Sequence, residues 1–315
     1  MRFAPTAEQK QFAESLHDVL AGADTPAAVR EWGEGRHEPG LKIWRDLADL
    51  GVPALLVPER DGGLGASAAD LVVAFEVLGY HAVPGPLVES VAVAPRLAPR
   101  ESLPALASGE LLATVASPPL VPYALDADVA GLVLRVRDGG VERARSVAGP
   151  VRSVDAARRL FRVRAGEALG DAPGEAFELG LLAVSAQLAG AGRWLLEQAS
   201  AYARQREQYG RAIGSFQAVK HLLADVATRL ELARPLVHGA AVTMTACDVS
   251  AAKVAAGEAA YLAARTALQV HGAIGYTAEH DLGLWLTRVR ALTGAWGGAA
   301  WHRARVLAGL DVRDG

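Results

Sequence analysis

Apolar residues recur three or four positions apart through the first third of the chain, the spacing of a buried helix face. They form three stripes: Phe12, Leu16, Val19 and Leu20; Leu41, Trp44, Leu47 and Leu50; and Leu71, Phe75 and Leu78. Capping-box spacings at residues 6–9 and 67–70 precede the first and third stripes. Gly51 and Gly79 follow stripes and are placed to end helices. We therefore predict a helical domain over residues 1–112.

Polar and apolar positions alternate in the middle of the chain. Such runs occur at residues 134–137 and 161–165, and a period of two predicts strands. Asp138-Gly139 follows the first run and precedes another short one, which predicts a β-hairpin. Residues 113–170 are therefore predicted to form a small β domain.

The helical period returns at Ala176. Its stripes are Leu181, Val184, Leu188, Leu195 and Ala199; Val219, Leu222, Leu223, Val226, Leu230, Ala233 and Val237; and Leu282, Leu284, Trp285, Leu286 and Val289. Residues 251–268 are almost continuously alanine-rich. Helices of this length joined by short loops pack as an antiparallel four-helix bundle, predicted here over residues 171–315. The predicted fold is mainly α with a small β domain, in the order α–β–α.

Composition narrows the class of protein. The chain has 315 residues, 51% of them hydrophobic, and 32 basic against 35 acidic residues give a net charge of −3. This excludes a globally basic nucleic-acid binder. The single cysteine, Cys247, excludes an intrachain disulfide, and neither a signal peptide nor an apolar run of about 18 residues occurs. We predict a cytoplasmic protein that binds neither membrane nor nucleic acid.

Two motifs have simple structural interpretations. Residues 63–68 match G-x-G-x-x-A, but no βαβ unit surrounds them, so we predict a tight turn rather than a dinucleotide site. Residues 131–165 hold nine arginines against three acids, a local net charge of +6. These arginines either form the solvated face of the strands or contact a partner or the phosphates of a ligand. No histidine or serine motif predicts metal or triad chemistry.

The most informative stretch is residues 202–225, where a charged helix end runs into three dipeptides: Tyr209-Gly210, Ile213-Gly214 and Phe216-Gln217. The glycines allow tight turns, and an arginine with two glutamines suits a phosphate and the polar edge of a ring. On these residues alone, a helix–loop–helix corner is the simpler interpretation.

This stretch closely resembles the signature of flavin-dependent acyl-CoA dehydrogenases. A second signature of that family matches residues 269–277, which read Gln-Val-His-Gly-Ala-Ile-Gly-Tyr-Thr. The first domain matches as well, through Trp44, Leu47, Leu50-Gly51, Val57-Pro58-Glu59, Gly62-Gly63-Leu64-Gly65 and Glu76-x-Leu78-Gly79. The resemblance implies a helical domain, a β barrel and a helical bundle, in the order read above.

The resemblance also implies a chemistry. The family removes two hydrogens across Cα–Cβ of an acyl-CoA thioester, with a glutamate as base and FAD as hydride acceptor. FAD is shared across a subunit interface, and a neighbouring subunit contributes one loop and one turn. The matching residues here are Arg206, Gln208, Tyr209, Ile213, Phe216 and Gln217 in the loop, and Gln269, Val270, Gly272 and Ala273 in the turn. Ala273 replaces a family glycine, which is expected to hinder close backbone approach.

The chain departs from the family where the base belongs. One base position falls in the segment 295–298, which reads Ala-Trp-Gly-Gly, and the other falls on Gly180. Glu178 is two residues from Gly180, about 200° around a helix and so on the opposite face. The middle domain is half the family length, and Ser-Pro-Pro-Leu at 117–120 replaces the family's flavin-binding segment.

These losses predict the short subunit of a heteromeric acyl-CoA dehydrogenase. A longer homologous partner would carry the glutamate, in an α2β2 assembly that resembles actinobacterial steroid-catabolic types and passes electrons to an electron-transfer flavoprotein or similar acceptor. Two alternatives stay open. One is a self-sufficient homo-oligomeric flavoenzyme with a displaced base at Glu175, Glu178 or Glu258, and the other is a non-catalytic interaction subunit without FAD.

Overall fold

A computed structural model describes residues 5–311; the predictions for residues 1–4 and 312–315, including that of no signal peptide, lie outside this range. The first part of the chain is helical, as predicted. Its elements are α1 (Ala7–Ala21), α2 (Thr25–Gly33), α3 (Glu38–Asp49), α4 (Ala68–Tyr80), the π-helical segment Val88–Val93, α5 (Ala94–Leu97) and α6 (Leu103–Ala107).

The helix ends follow the sequence signals in three of four places. Both capping boxes are present, with the side chains of Thr6 and Ser67 accepting hydrogen bonds from backbone N–H groups in the first turn. Gly51, just beyond α3, has a φ of +81°, which favours glycine. The prediction that Gly79 ends a helix is wrong. Gly79 lies inside α4, where a Cβ would overlap the backbone of Gln187 on α7 (Gly174–Gln205).

The middle of the chain forms a five-stranded sheet with strand order β1-β3-β4-β5-β2. The strands are β1 (Ala113–Ala116), β2 (Ala124–Leu125), β3 (Leu132–Arg137), β4 (Gly140–Val151) and β5 (Leu160–Asp171). The predicted hairpin joins β3 to β4, and its turn residues Asp138 and Gly139 have φ values of +52° and +81°. Positive φ at both positions is the type I′ turn that matches strand twist.

The remaining helices are α7, α8 (Gln217–Thr243), α9 (Ala246–His271), α10 (Leu282–Gly294) and α11 (Ala299–Asp311). The last apolar stripe lies in α10, and α10 and α11 are separate 13-residue helices because the chain turns at Trp296 and Gly297, both with positive φ. Helix α7 is long and apolar enough to span a membrane, but 78% of its apolar window is buried inside the protein, as in a core helix.

The helical domain and the bundle share one core because α4 and α7 cross closely. At the crossing, a Cβ on Gly190 would overlap the Glu76 carbonyl oxygen. Helix α10 adds two further ties to the rest of the chain. The Trp285 indole donates to the Tyr80 carbonyl at 2.9 Å, and the buried Arg288 guanidinium pairs with Asp155 of the middle segment.

Replacing Gly190 with alanine should lower the free energy of unfolding by about 1–3 kcal/mol, because the added methyl group meets backbone that cannot rotate away. Urea unfolding followed by circular dichroism measures this change. Gly257→Ala is the matched control inside α9, where a Cβ would meet only Thr293 Cγ2 at 3.9 Å. It should raise stability by about 0.5–1 kcal/mol, from helix propensity. Equal effects of the two substitutions would contradict the close crossing.

Candidate functional site

The 206–217 loop begins with a two-residue hairpin directly after α7. Strands β6 (Glu207–Gln208) and β7 (Arg211–Ala212) pair, and their turn residues Tyr209 and Gly210 have φ values of +54° and +74°. The Tyr209 side chain is 92% exposed at the tip. The backbone N–H of Ile213 donates to the Arg206 carbonyl at 2.8 Å and closes the loop. The tight turn read from the glycine is therefore a type I′ hairpin.

Side chains of this loop form an exposed polar and aromatic surface. The Arg211 guanidinium lies 4.1 Å from the Phe216 ring centroid, and the Tyr209 ring meets Phe216 edge-on at 6.2 Å. The side chains of Arg206 and Gln217 are exposed, and Arg206 forms no ion pair with any side chain that the structure describes, those of residues 5–310. A free guanidinium and amide groups beside aromatic rings can bind a phosphate and the edge of a heterocycle.

The second motif lies at the C-terminal end of α9. Gln269 is exposed and Val270 is buried, and Gly272 leaves the helix with a φ of +64°. The His271 ring stacks on Tyr202 of α7 with centroids 4.4 Å apart. The structure therefore brings both predicted motifs to the same end of the helical bundle.

The turn after α9 is open on its outer side. A Cβ at Gly272 would meet no atom within 4 Å. Ala273 lies in the 3₁₀ turn Gly272–Tyr276, has an exposed side chain, and is not a positive-φ residue, so alanine brings no backbone strain there. The exposed donors of the loop and this open turn fit the polar adenosine and pyrophosphate end of FAD.

Near the other end of α7, the two positions that the family uses for its base, matched here by Gly180 and Trp296, are in contact. A Cβ at Gly180 would lie 2.6 Å from two ring atoms of Trp296 and 2.9 Å from Val93. Trp296 is only 2% exposed, so its indole fills the space that a side chain at position 180 would need. Neither position can present a carboxylate in this packing.

His302 holds the Trp296 backbone in place. Its Nε2 donates to the Trp296 carbonyl at 3.1 Å, while its Nδ1 accepts from the Ser250 hydroxyl at 3.2 Å. Trp296 has a φ of +59°, a left-handed conformation that costs a bulky residue about 1–2 kcal/mol. Packing of the indole and the His302 contact offset that cost.

The three candidates for a displaced base are each bound to an arginine. Glu175 pairs with Arg96 at 3.1 Å, Glu178 with Arg305 through two contacts, and Glu258 with Arg303. None of them lines the cavities beside Trp296, which measure about 150 and 180 Å³. The carboxylate in the larger cavity is Glu89, which sequence analysis missed. Its only signal is a lone acid in the apolar run 87–94.

Several relatives match this chain along most of its length. Residues 6–110 match the family model of the acyl-CoA dehydrogenase N-terminal domain, and residues 171–310 match that of the C-terminal domain. An acyl-CoA dehydrogenase of Mycobacterium tuberculosis, IpdE2, is 33% identical over 293 residues, 90% of this chain and 91% of that protein. The chain belongs to the acyl-CoA dehydrogenase family. Another member from the same organism, FadE34, is 34% identical over 92% of this chain and 45% of its own length.

Solved structures of this family share the fold. The ChsE4-ChsE5 complex from Mycobacterium tuberculosis contains a chain that superposes with a TM-score of 0.84 at 23% identity, over 99% of both chains. The Tcur3481-Tcur3483 steroid ACAD G363A variant gives 0.86 at 20% identity over 98% of both chains. These confirm the predicted fold, mainly α with a small sheet.

The contact between Gly180 and Trp296 predicts energetic coupling. Gly180→Ala should cost about 1–3 kcal/mol in the native background, because the methyl group meets a buried ring. In a Trp296→Gly background the cost should fall to the part that comes from Val93, whose Cγ2 would still lie 2.9 Å from the added methyl group. A double-mutant cycle of urea unfolding measures the difference. Gly174→Ala, where a Cβ meets no atom within 4 Å, is the control and should add independently of Trp296. Additive effects of the first pair would contradict the contact.

The environment of His302 predicts a pH dependence of stability. Burial, aided by the nearby Lys253 charge, lowers the pKa of His302 from 6.5 to about 4. The unfolded chain therefore binds a proton more readily, and stability should fall as pH drops from about 6.5 to about 4. His302→Gln should reduce this slope, measured as the urea midpoint against pH. The burial-lowered pKa of His81, also about 4, leaves a residual slope. An unchanged slope in the variant would contradict the assignment.

Proposed function

We propose that this chain is a subunit of a heteromeric FAD-dependent acyl-CoA dehydrogenase and lends the 206–217 loop and the 269–273 turn to FAD held mainly by a longer homologous partner. The observation that carries this proposal is the contrast between the two ends of α7. At one end the positions for a base are closed by Trp296. At the other end, the 206–217 loop exposes hydrogen-bond donors, and its Arg206 forms no ion pair with a described residue.

In this assembly the residues divide the work. Arg206, Gln208 and Gln217 would hold the pyrophosphate and adenosine of FAD, with Tyr209, Ile213 and Phe216 packing beside them. Gln269, Val270, Gly272 and Ala273 would supply backbone at the same end. FAD bound there would supply the hydride acceptor for dehydrogenation across Cα–Cβ of the thioester, and a glutamate of the partner would take the α proton.

The short middle segment supports the proposal that this chain does not bind a flavin ring of its own. Where the family's flavin-binding segment belongs, Ser117 and Val121 exchange two backbone hydrogen bonds of 2.7 and 2.8 Å and close a short loop. The segment 113–170 would then be a remnant domain between a helical domain of residues 1–112 and a bundle of residues 171–315.

The names of the relatives support the assembly and the substrate class. Two of the superposed structures are named as pairs of gene products, and one of those is named a steroid enzyme. We extend both features to this chain, as an α2β2 complex acting on a steroid-derived acyl-CoA in the cytoplasm. Electrons would leave through an electron-transfer flavoprotein or similar acceptor.

Co-expression tests this function. The partner to co-express would be a longer homologue from a neighbouring reading frame that carries a glutamate at either base position. The purified pair should be yellow and oxidise acyl-CoA, whereas this chain alone should bind little FAD. Arg206→Ala in the pair should weaken FAD binding about 10- to 100-fold, the loss expected for hydrogen bonds to a charged group.

Arg204→Ala is the matched control, since Arg204 is exposed two residues earlier and lies outside the loop. It should leave FAD content unchanged. A lone chain that purifies with FAD and turns over acyl-CoA would instead support the self-sufficient enzyme. A pair whose FAD content is the same with Arg206→Ala as without it would support the non-catalytic subunit.

A further inference from the structure

The larger of the two cavities beside Trp296 lies where the π-helical segment Val88–Val93, the middle segment and the end of α10 meet. Its volume is about 180 Å³, equivalent to roughly six waters at ~30 Å³ each, which is the size of a short organic acid. Its apolar walls come from Leu120, Val121, Pro122, Leu125, Leu160 and Trp296. No residue of the 206–217 loop or the 269–273 turn lines it.

Glu89 is the buried polar group of this cavity. Glu89 is 2% exposed, and its Oε2 has no hydrogen-bond partner in the described part of the chain. Burial raises the pKa of Glu89, and the positive charge of Arg158 offsets only part of that shift. The nearby Asp126 is also buried, and its carboxyl group cannot stabilise an ionised Glu89 because it carries no positive charge. This shift moves the carboxyl toward its protonated form, in which it donates a hydrogen bond, and no described residue accepts one from Oε2.

Arg158 is the charged group of the same cavity. Its neighbours in the fold are paired: Arg159 binds Asp128, and Arg288 binds Asp155. Arg158 is a half-buried residue, and its guanidinium forms no ion pair within the described part of the chain. Its backbone N–H donates to the Asp155 carbonyl at 3.0 Å. A guanidinium left free beside an apolar cavity suits a carboxylate.

We propose that this cavity binds a small oxo- or hydroxy-carboxylate. The ligand carboxylate pairs with the Arg158 guanidinium. A separate oxo or hydroxy oxygen of the ligand accepts a hydrogen bond from the Glu89 carboxyl, and the short carbon skeleton contacts the apolar walls. Arg158 and Glu89 form no ion pair with each other in the described part of the chain, so satisfying both requires a ligand with a carboxylate and a second acceptor. That requirement selects an oxo- or hydroxy-acid over a simple fatty acid or a neutral ketone.

Calorimetric titration of the full-length chain with 4-oxopentanoate tests the proposal. Pentanoate lacks the second oxygen and pentan-2-one lacks the carboxylate, so 4-oxopentanoate should bind at least tenfold more tightly than either. Tryptophan fluorescence should change over the same concentration range, because Trp296, one of six tryptophans, lines the cavity. Absence of binding up to about 10 mM, or equal affinity for all three compounds, would overturn it.

Variants separate binding from folding. Glu89→Gln keeps a donor and should retain the affinity for 4-oxopentanoate within about threefold. Glu89→Leu should lose at least tenfold in affinity yet raise the melting temperature, because it removes a buried polar group without a partner. Arg158→Met should abolish the preference over pentan-2-one, whereas Arg152→Met, an exposed arginine outside the cavity, should not. Unchanged binding in Arg158→Met would contradict the site.

Discussion

The fold depends on a helix crossing that only glycine permits. Gly79 and Gly190 bring the backbones of α4 and α7 together so closely that a methyl group on either would overlap the other helix. This crossing fuses the first helical segment and the C-terminal helices into one core. It also holds α7, a helix of 32 residues, in the core, and the surroundings of its two ends differ.

The two ends of α7 differ in the surroundings that matter for function. Near its first turns, Gly180 accepts the Trp296 ring, and a left-handed backbone held by His302 keeps that ring in place. Beyond its last turn, the hairpin at Tyr209-Gly210 projects polar and aromatic side chains into solvent, beside the end of α9. A chain that closes its own base positions and exposes a set of donors is suited to completing a site on another subunit.

Local signals predicted local structure well. Capping boxes, the Asp138-Gly139 turn and the Tyr209-Gly210 turn are decided by residues close in sequence, and each formed where it was predicted. Gly79 was misassigned because its role comes from a backbone 108 residues away, at Gln187. The contact of Trp296 with Gly180, and the lone acid Glu89 in its cavity, arise only from tertiary packing. No periodicity marks either of them.

The ratio of FAD to polypeptide in the assembled complex tests the central claim most directly. Absorbance of released flavin, combined with intact-mass quantification of both subunits, measures that ratio. If this chain completes its partner's site and has none of its own, the complex contains half as many FAD molecules as polypeptide chains. One FAD for every chain would contradict this account, because it would require a flavin site within this subunit.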